Sequence, residues 1–279
     1  MNIFQSAFLG IIQGLTEFLP ISSSGHLVLF QKIFGLTGNT LSFDVFVHLG
    51  TLMAVIVVFR KDILDILKKP FGKLPMLLVL GTIPAVIIGI TFKDSIGALF
   101  ASGATIGVEF LITGLILLWA EKLSCSSSVI PASPSADGNI QSSCVPKTLP
   151  SMTALDALVI GVTQAVAILP AVSRSGLTIA GALSRKLDRE FALKFSFLLS
   201  IPAILGSVVF DGIDIIKDPA STQATPIIIG TSAAAISGYF AIRYMLKVFS
   251  KKSLMPFAVY VFILGGLIII DQTITRIFF

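Results

Sequence analysis

Gln13, Glu17, Ser22, Ser23, Ser24, Gly25 and His26 crowd into one short stretch of a chain that is otherwise strongly apolar. Gln13 and Glu17 are four positions apart, so on a helix both project from one face. Their oxygens suit a hard divalent cation held jointly with phosphate oxygens. His26 can move a proton near neutral pH. Ser23, close to it in sequence, could be an activated nucleophile. Ser22, Ser24 and Gly25 add hydroxyls and an unhindered backbone amide. A second cluster, Ser173-Arg174-Ser175-Gly176 with Thr178, contributes a permanently charged planar fork suited to bidentate phosphate recognition. Its hydroxyls are further donors, and Gly176 lets the backbone amides turn inward. The combined set points to phosphoryl chemistry on a phosphate-bearing molecule whose other end is lipid.

Both clusters interrupt apolar runs. The first run, Ile3–Phe34, is broken by Pro20, the serines and Gly25; the second, Leu155–Leu183, by Pro170 and Ser173-Arg174-Ser175-Gly176. A non-helical break at membrane depth is tolerated only where protein buries it or a wet cavity faces it. A carboxylate there costs roughly 2.5–3.5 kcal/mol, a cost usually retained for function. Each run reads as a re-entrant helix–loop–helix hairpin that enters and leaves on one side. Each break opens a new helix, whose free N–H groups and positive dipole end favour an anion.

The rest of the chain is built to hold these breaks in a bilayer. Of its 279 residues, 54% are hydrophobic and 13% charged, with mean hydropathy +0.96; soluble domains carry about 25% charged residues. This predicts an all-α polytopic membrane protein, a single membrane domain with the bilayer as partner. Six apolar stretches approach the roughly 20 residues that a span needs: Phe43–Phe59, Leu74–Phe92, Thr105–Ala120, Phe191–Phe210, Pro226–Val248 and Met255–Ile270. The net charge of +5 is loop charge of the kind that orients membrane proteins, not a nucleic-acid footprint. The N-terminus lacks a basic n-region and cleavage site, so no removed signal peptide is expected. Cys125 and Cys144 lie in a polar linker and read as incidental thiols.

The linker, residues 124–151, divides two halves, 1–123 and 152–279, that resemble each other. Gly14-Leu15-Thr16-Glu17, Leu19-Pro20 and Ser22-Ser23-Ser24-Gly25 have counterparts in Gly161-Val162-Thr163-Gln164, Leu169-Pro170 and Ser173-Arg174-Ser175-Gly176. One hairpin plus three spans is an odd number of crossings, so the second half starts on the opposite side. An inverted repeat of this kind places its site where the broken elements meet. Loop charges agree: Arg60, Lys61, Lys68, Lys69, Lys73, Lys122, Lys147, Arg185, Lys186, Arg189, Lys251 and Lys252 fall on one side, against Lys32, Lys93, Lys217 and Arg276 on the other. The positive-inside rule makes the first side cytoplasmic. The linker is then cytoplasmic and the first hairpin enters from outside.

Other polar residues have plainer readings. Asp44 and His48, one turn apart, read as a structural couple. Glu109, inside an apolar stretch, is a hydrogen-bonding group that nothing local ties to the breaks. Asp156 heads the second broken helix as an N-terminal stabiliser. Small polar residues in Phe195-Ser196-Phe197-Leu198-Leu199-Ser200-Ile201-Pro202 suggest close helix packing.

Gln13-x-x-x-Glu17-Phe18-Leu19-Pro20-x-Ser22-Ser23-x-Gly25-His26 and Pro170-Ala171-Val172-Ser173-Arg174-Ser175-Gly176-Leu177-Thr178 resemble the two signatures of the bacterial undecaprenyl-diphosphatase family. The likeness covers nearly the whole chain. It implies a multi-pass enzyme of the inner membrane that hydrolyses undecaprenyl diphosphate to undecaprenyl phosphate and inorganic phosphate. That reaction recycles the lipid carrier for peptidoglycan and confers resistance to bacitracin, which acts on the same substrate. The resemblance also implies a site open to the periplasmic face and a divalent cation, magnesium or alternatively calcium, and it is compatible with a homodimer. By position it assigns Glu17 and Gln13 to the acidic motif, His26 to the family histidine, Ser23 to the nucleophile, and Ser173, Arg174 and Thr178 to phosphate binding. Ala171 departs from the glycine usual in the family, which matters if that glycine supplies positive φ.

The sequence leaves the chemical step open. Ser23 attacks with His26 or Glu17 taking its proton, or His26 is the nucleophile, or water attacks directly. A transporter or flippase is the rival reading, because broken helices in inverted repeats also serve alternating access.

Overall fold

The computed structural model describes residues 1–36, 40–123, 146–217, 224–249 and 252–279; Cys125, Cys144 and most of the linker lie outside the described residues. Among the described residues there are twelve α-helices and no strand beyond an isolated bridge between Lys147 and Leu187. In chain order they are α1 (Ile3–Phe18), α2 (Ser23–Ile33), α3 (Leu41–Val58), α4 (Arg60–Lys68), α5 (Lys73–Thr91), α6 (Lys93–Ser102) and α7 (Ile106–Leu123), then α8 (Ala154–Val166), α9 (Arg174–Ser184), α10 (Arg189–Lys217), α11 (Ala224–Val248) and α12 (Met255–Ile270).

Among the described residues, five helical segments are long and apolar enough to cross a bilayer: Leu41–Val58, Lys73–Thr91, Arg189–Val209, Ala224–Val248 and Met255–Thr275. They correspond to five of the six expected stretches. The sixth, α7, is an 18-residue helix that carries Glu109, Glu121 and Lys122. With these spans the chain is a multi-pass membrane protein. Large apolar side chains stand exposed along the spans, such as Val79, Ile83, Ile87 and Ile90 on α5 and Val259, Ile263 and Leu267 on α12. In water that surface would be unfavourable; facing lipid it needs no cover.

Both broken runs fold back on themselves. Phe8, early in α1, meets Phe30, late in α2, and Phe34, just past it, with ring centroids 5.1 and 5.5 Å apart. Asp156, early in α8, pairs with Arg185 just past α9 at 2.7 Å. The first helix of each hairpin starts on a capping box, Asn2 with Gln5 and Thr153 with Asp156, which satisfies backbone donors that a helix start leaves free. α1 stops at Phe18 because Leu19 precedes Pro20 and is extended, at φ −78° and ψ 143°.

Small residues seat the hairpins. α1 packs along α11 so closely that a Cβ on Gly10 would lie 2.3 Å from the Gly230 carbonyl oxygen, and one on Gly14 would lie 2.5 Å from that of Ala234. α8 packs on α5 in the same manner, with a Cβ on Gly161 2.5 Å from the Gly81 carbonyl oxygen. Such contacts substitute for the hydrophobic drive that lipid does not supply. α3 also lies on α11, α10 on both α5 and α3, and α7 on α12. The core fills the space between, with Phe18, Phe110, Phe195 and Phe197 fully buried.

Candidate active site

The two breaks meet. Ser24, second in α2, donates its hydroxyl to the Pro170 carbonyl of the other break. Ser175, second in α9, donates to the Leu19 carbonyl at 3.0 Å. Each hairpin thus hydrogen-bonds a proline-turn carbonyl of the other.

Ser22 and Ser173 are the N-caps, accepting from Gly25 N–H at 3.4 Å and Gly176 N–H at 3.1 Å. Ser23 and Arg174 are therefore the first residues of their helices, and both reach Glu17. Arg174 Nη2 donates to Glu17 Oε1. Ser23 Oγ donates to Glu17 Oε2 at 2.5 Å, and Gln13 Nε2 donates to the same oxygen at 2.9 Å. Glu17 is 6% exposed, and its charge is matched by the guanidinium, the condition under which a buried carboxylate is tolerated. Ser22 sits at φ 67° and ψ 101°, a region that costs a non-glycine residue about 1–3 kcal/mol.

A network joining a carboxylate, a hydroxyl and a guanidinium across two helix starts is suited to attack on a phosphorus and to holding its oxygens. The family model described as "Bacitracin resistance protein BacA" matches residues 6–267. This chain belongs to that family. It is 51% identical over 275 residues to an undecaprenyl-diphosphatase of Carboxydothermus hydrogenoformans, covering 98% of each chain. It is 46% identical over 279 residues to an undecaprenyl-diphosphatase 3 of Bacillus cereus, covering all of both, and 41% identical over 261 residues to an undecaprenyl-diphosphatase of Thermodesulfovibrio yellowstonii, covering 93% of each.

Two residues singled out from the sequence stand apart from the Glu17 cluster. Thr178 is buried one turn down α9, with its hydroxyl between the Arg174 and Ser175 carbonyls and 2.6 Å from Ser196 Oγ. His26 lies one turn below Ser23; its hydrogen bonds go to the Ser22 carbonyl at 2.6 Å and the Tyr260 hydroxyl at 2.7 Å. Ser173 Oγ is 3.3 Å from Ser175 Oγ.

Three residues gain roles that the sequence did not reveal. His48 Nε2 faces Glu17 Oε2 at 3.8 Å, while its Nδ1 bonds the Asp44 backbone carbonyl at 2.6 Å. The expected side-chain couple is thus a backbone bond, and the Asp44 carboxylate instead takes Gln31 Nε2 at 2.7 Å. Glu109 Oε2 accepts the Ala171 N–H at 2.6 Å, and Thr113 Oγ1 accepts the Ser173 N–H at 3.1 Å, so α7 holds the second break in place. The i, i+4 spacing of Glu109 and Thr113 was the available signal, but it names no partner. Ala171 is absent from the positive-φ residues. Its methyl is packed where a Cβ on Gly25 would come within 2.9 Å, so the alanine occupies space and carries no backbone strain.

The donor set suits a cation only in part. Gln13 Oε1 is buried and has no hydrogen-bond partner among the described residues, so one oxygen awaits a cation or a donor. Both Glu17 oxygens are already engaged, and no group of three or more His, Cys, Asp or Glu residues that could hold a metal occurs among the described residues. Magnesium commonly binds one or two protein oxygens plus substrate phosphates and water, and this pair fits that pattern.

Outside the membrane-spanning helices, Asp156 closes the mouth of the second hairpin with Lys147 at 3.0 Å and Arg185 at 2.7 Å. Burial pushes its carboxyl up, but hydrogen bonds from the Thr153 backbone, Arg185 and Lys147 outweigh burial and hold it at about 2.

Proposed function

We propose that this chain hydrolyses undecaprenyl diphosphate to undecaprenyl phosphate and inorganic phosphate in the bacterial inner membrane, at a site open to the periplasmic face. Peptidoglycan synthesis would draw on the recycled carrier, and bacitracin resistance would follow from removal of the lipid that bacitracin sequesters. The observation that carries this reading is Glu17 engaging Ser23 and Arg174, the leading residues of two helices from different halves of the chain.

In this reading the diphosphate enters between the breaks, where Arg174 and the N-terminal amides of α2 and α9 hold its oxygens. Ser23 Oγ forms a bond to the terminal phosphorus, and the bond to the bridging oxygen breaks. Undecaprenyl phosphate departs with that electron pair, and the serine proton passes to Glu17 Oε2. Water then attacks the phosphoserine phosphorus, the Ser23 oxygen leaves and takes back the proton from Glu17, and the water's protons depart with the phosphate, restoring both residues. Glu17 is favoured as base because it already accepts the Ser23 hydrogen bond. A divalent cation held by Gln13 Oε1 and Glu17 with the phosphate oxygens would supply charge neutralisation.

The same reading includes an inverted repeat of two re-entrant hairpins and six spans, α7 being the sixth. The packing supports it. Exchanging α1, α2, α3, α5 and α7 for α8, α9, α10, α11 and α12 turns the α1–α11 contact into α8–α5 and α3–α11 into α10–α5, and leaves α3–α10 and α7–α12 unchanged. α1 runs parallel to α11, meeting Gly230 and then Ala234, whereas α8 runs parallel to α5.

The test is phosphate release from undecaprenyl diphosphate by the purified chain in detergent, where no second compartment exists. Turnover that is lost in Arg174→Ala and Glu17→Ala supports the enzyme. Tight binding without release would favour a transporter, and an Arg174→Ala variant with unchanged turnover would overturn the assignment of the site.

A further inference from the structure

His26 is the one ionisable group of the first break that the chemistry above leaves unused, and both its nitrogens are committed. A carbonyl oxygen can only accept, so Nδ1, 2.6 Å from the Ser22 carbonyl, carries the proton. In the neutral ring Nε2 is then bare and accepts from the Tyr260 hydroxyl of α12 at 2.7 Å. The two rings lie nearly parallel, at an interplanar angle of 6°, and Phe110 closes the imidazole edge at 5.3 Å. His26 is 2% exposed. The carbonyl that it grips belongs to Ser22, the residue at φ 67° directly before Ser23. A non-glycine residue keeps such a conformation only when its surroundings over-determine it.

The second break provides an internal comparison. Ser173 holds the place of Ser22, yet its φ is −70°. Leu177 stands where His26 stands, four residues on, and its backbone N–H alone bonds the Ser173 carbonyl at 2.9 Å. The imidazole is present in the half whose cap is strained and absent from the half whose cap is relaxed.

We infer that Tyr260 and His26 form a strut that holds the Ser22 carbonyl and so presents Ser23 to Glu17, and that His26 is a positioning residue, not the base of the phosphoryl transfer. The inference rests on the phosphatase reading above only for its kinetic test. Tyr260 orients the ring, the ring fixes the carbonyl, and the carbonyl fixes the peptide that carries the nucleophile.

The two amide replacements of histidine separate strut from base. In His26→Asn the side-chain amide nitrogen falls near the Nδ1 position and can still donate to Ser22; in His26→Gln it falls near Nε2 and cannot. Neither amide is a base. The strut predicts that, in full-length protein with undecaprenyl diphosphate, His26→Asn keeps kcat within about tenfold of wild type, while His26→Gln and His26→Ala lose about a hundredfold. Tyr260→Phe lowers kcat about tenfold and leaves KM unchanged, since one hydrogen bond is lost away from the substrate. His26→Asn falling as far as His26→Ala, by the roughly 10²–10⁴-fold typical of a lost general base, would overturn the strut. Should these variants not fold, nitrogen NMR of the wild-type protein decides the matter: the strut requires Nδ1 protonated and Nε2 bare, and the opposite tautomer refutes it. If wild-type protein releases no phosphate, the phosphatase reading fails while the tautomer still tests the strut.

Discussion

Arg174 and Glu17, 157 positions apart in the chain, form a partly buried ion pair that closes one hairpin onto the other. Glu17 also accepts from the Ser23 hydroxyl, so this pair joins the halves and holds the serine. Glu17→Gln leaves the guanidinium without its counter-charge, and because Arg174 is partly exposed the cost is below the about 3–5 kcal/mol of a fully buried pair. It also removes the proton acceptor, worth about 10²–10⁴ in rate. Arg174→Lys keeps the charge but not the planar fork. The expected order of phosphate release is wild type, then Arg174→Lys, then Glu17→Gln, and thermal unfolding should rank Glu17→Gln below wild type. A Glu17→Gln variant with wild-type turnover would remove Glu17 from the mechanism.

Ser24 and Ser175 make reciprocal bonds, each to a proline-turn carbonyl of the opposite hairpin. Replacing either by alanine removes a hydrogen bond worth about 0.5–1.5 kcal/mol. The two single variants should lower the unfolding midpoint by similar amounts, and the double variant should show more than additive loss of activity, because both bonds fix one interface. Strict additivity in a double-mutant cycle would mean that the breaks are positioned independently.

Gly25 faces Phe110 and Ala171 at distances that exclude a side chain: an added Cβ would lie 2.7 Å from Phe110 Cζ and 2.9 Å from Ala171 Cβ. Gly25→Ala is expected to displace α2 and abolish phosphate release. Ala171→Gly removes only a methyl and loosens the backbone, costing about 0.5–1 kcal/mol. Activity should survive that change. Loss of activity in Ala171→Gly would show that the methyl itself shapes the site.

The sequence revealed most of this arrangement and stopped at identifiable points. Pro20, Pro170 and the serine clusters marked both breaks, because proline disfavours a helical backbone at the preceding residue and serine caps the helix that starts after it. The glycines Gly14 and Gly161 fell at matching places in the two halves, but the helices that they pack against, α11 and α5, could not be read from the sequence. Side-chain direction around a helix was harder to read. Asp44 and His48 share a face by spacing, yet spacing does not say that the face looks onto Glu17. Glu109 reads as isolated in the sequence because its partner, the Ala171 N–H, lies 62 positions away. The Tyr260 hydroxyl, 234 positions from His26, gave no local signal at all. The free Gln13 Oε1 likewise depends on which way the amide turns, which only the neighbouring carboxylate decides.

That free oxygen makes the cation testable apart from stability. Removal of divalent cations with a chelator should stop phosphate release, and magnesium or calcium should restore it. Gln13→Ala should raise the cation concentration needed for half-maximal rate while leaving Arg174-dependent substrate binding in place. Full activity in the chelated protein would exclude a role for a metal at Gln13 and Glu17.

Asp156 gives the fold a sign-specific dependence on pH. Its carboxyl titrates at about 2 in the folded chain against an ordinary 3.8, so the folded state binds the carboxylate form more favourably than the unfolded state. The stabilisation is complete above pH 3.8 and disappears as pH falls through about 2. That difference amounts to about 2 kcal/mol. Asp156→Asn should therefore lower the unfolding midpoint at neutral pH, and its midpoint should fall less steeply than wild type between those limits. Lys147→Ala and Arg185→Ala should each reproduce part of the loss, since each supplies one of the bonds that hold the carboxylate. Phosphate release at neutral pH should change far less than stability, because Asp156 closes the mouth of the second hairpin and not the break that meets Glu17. An Asp156→Asn variant as stable as wild type at neutral pH would show that Lys147 and Arg185 do not anchor that mouth.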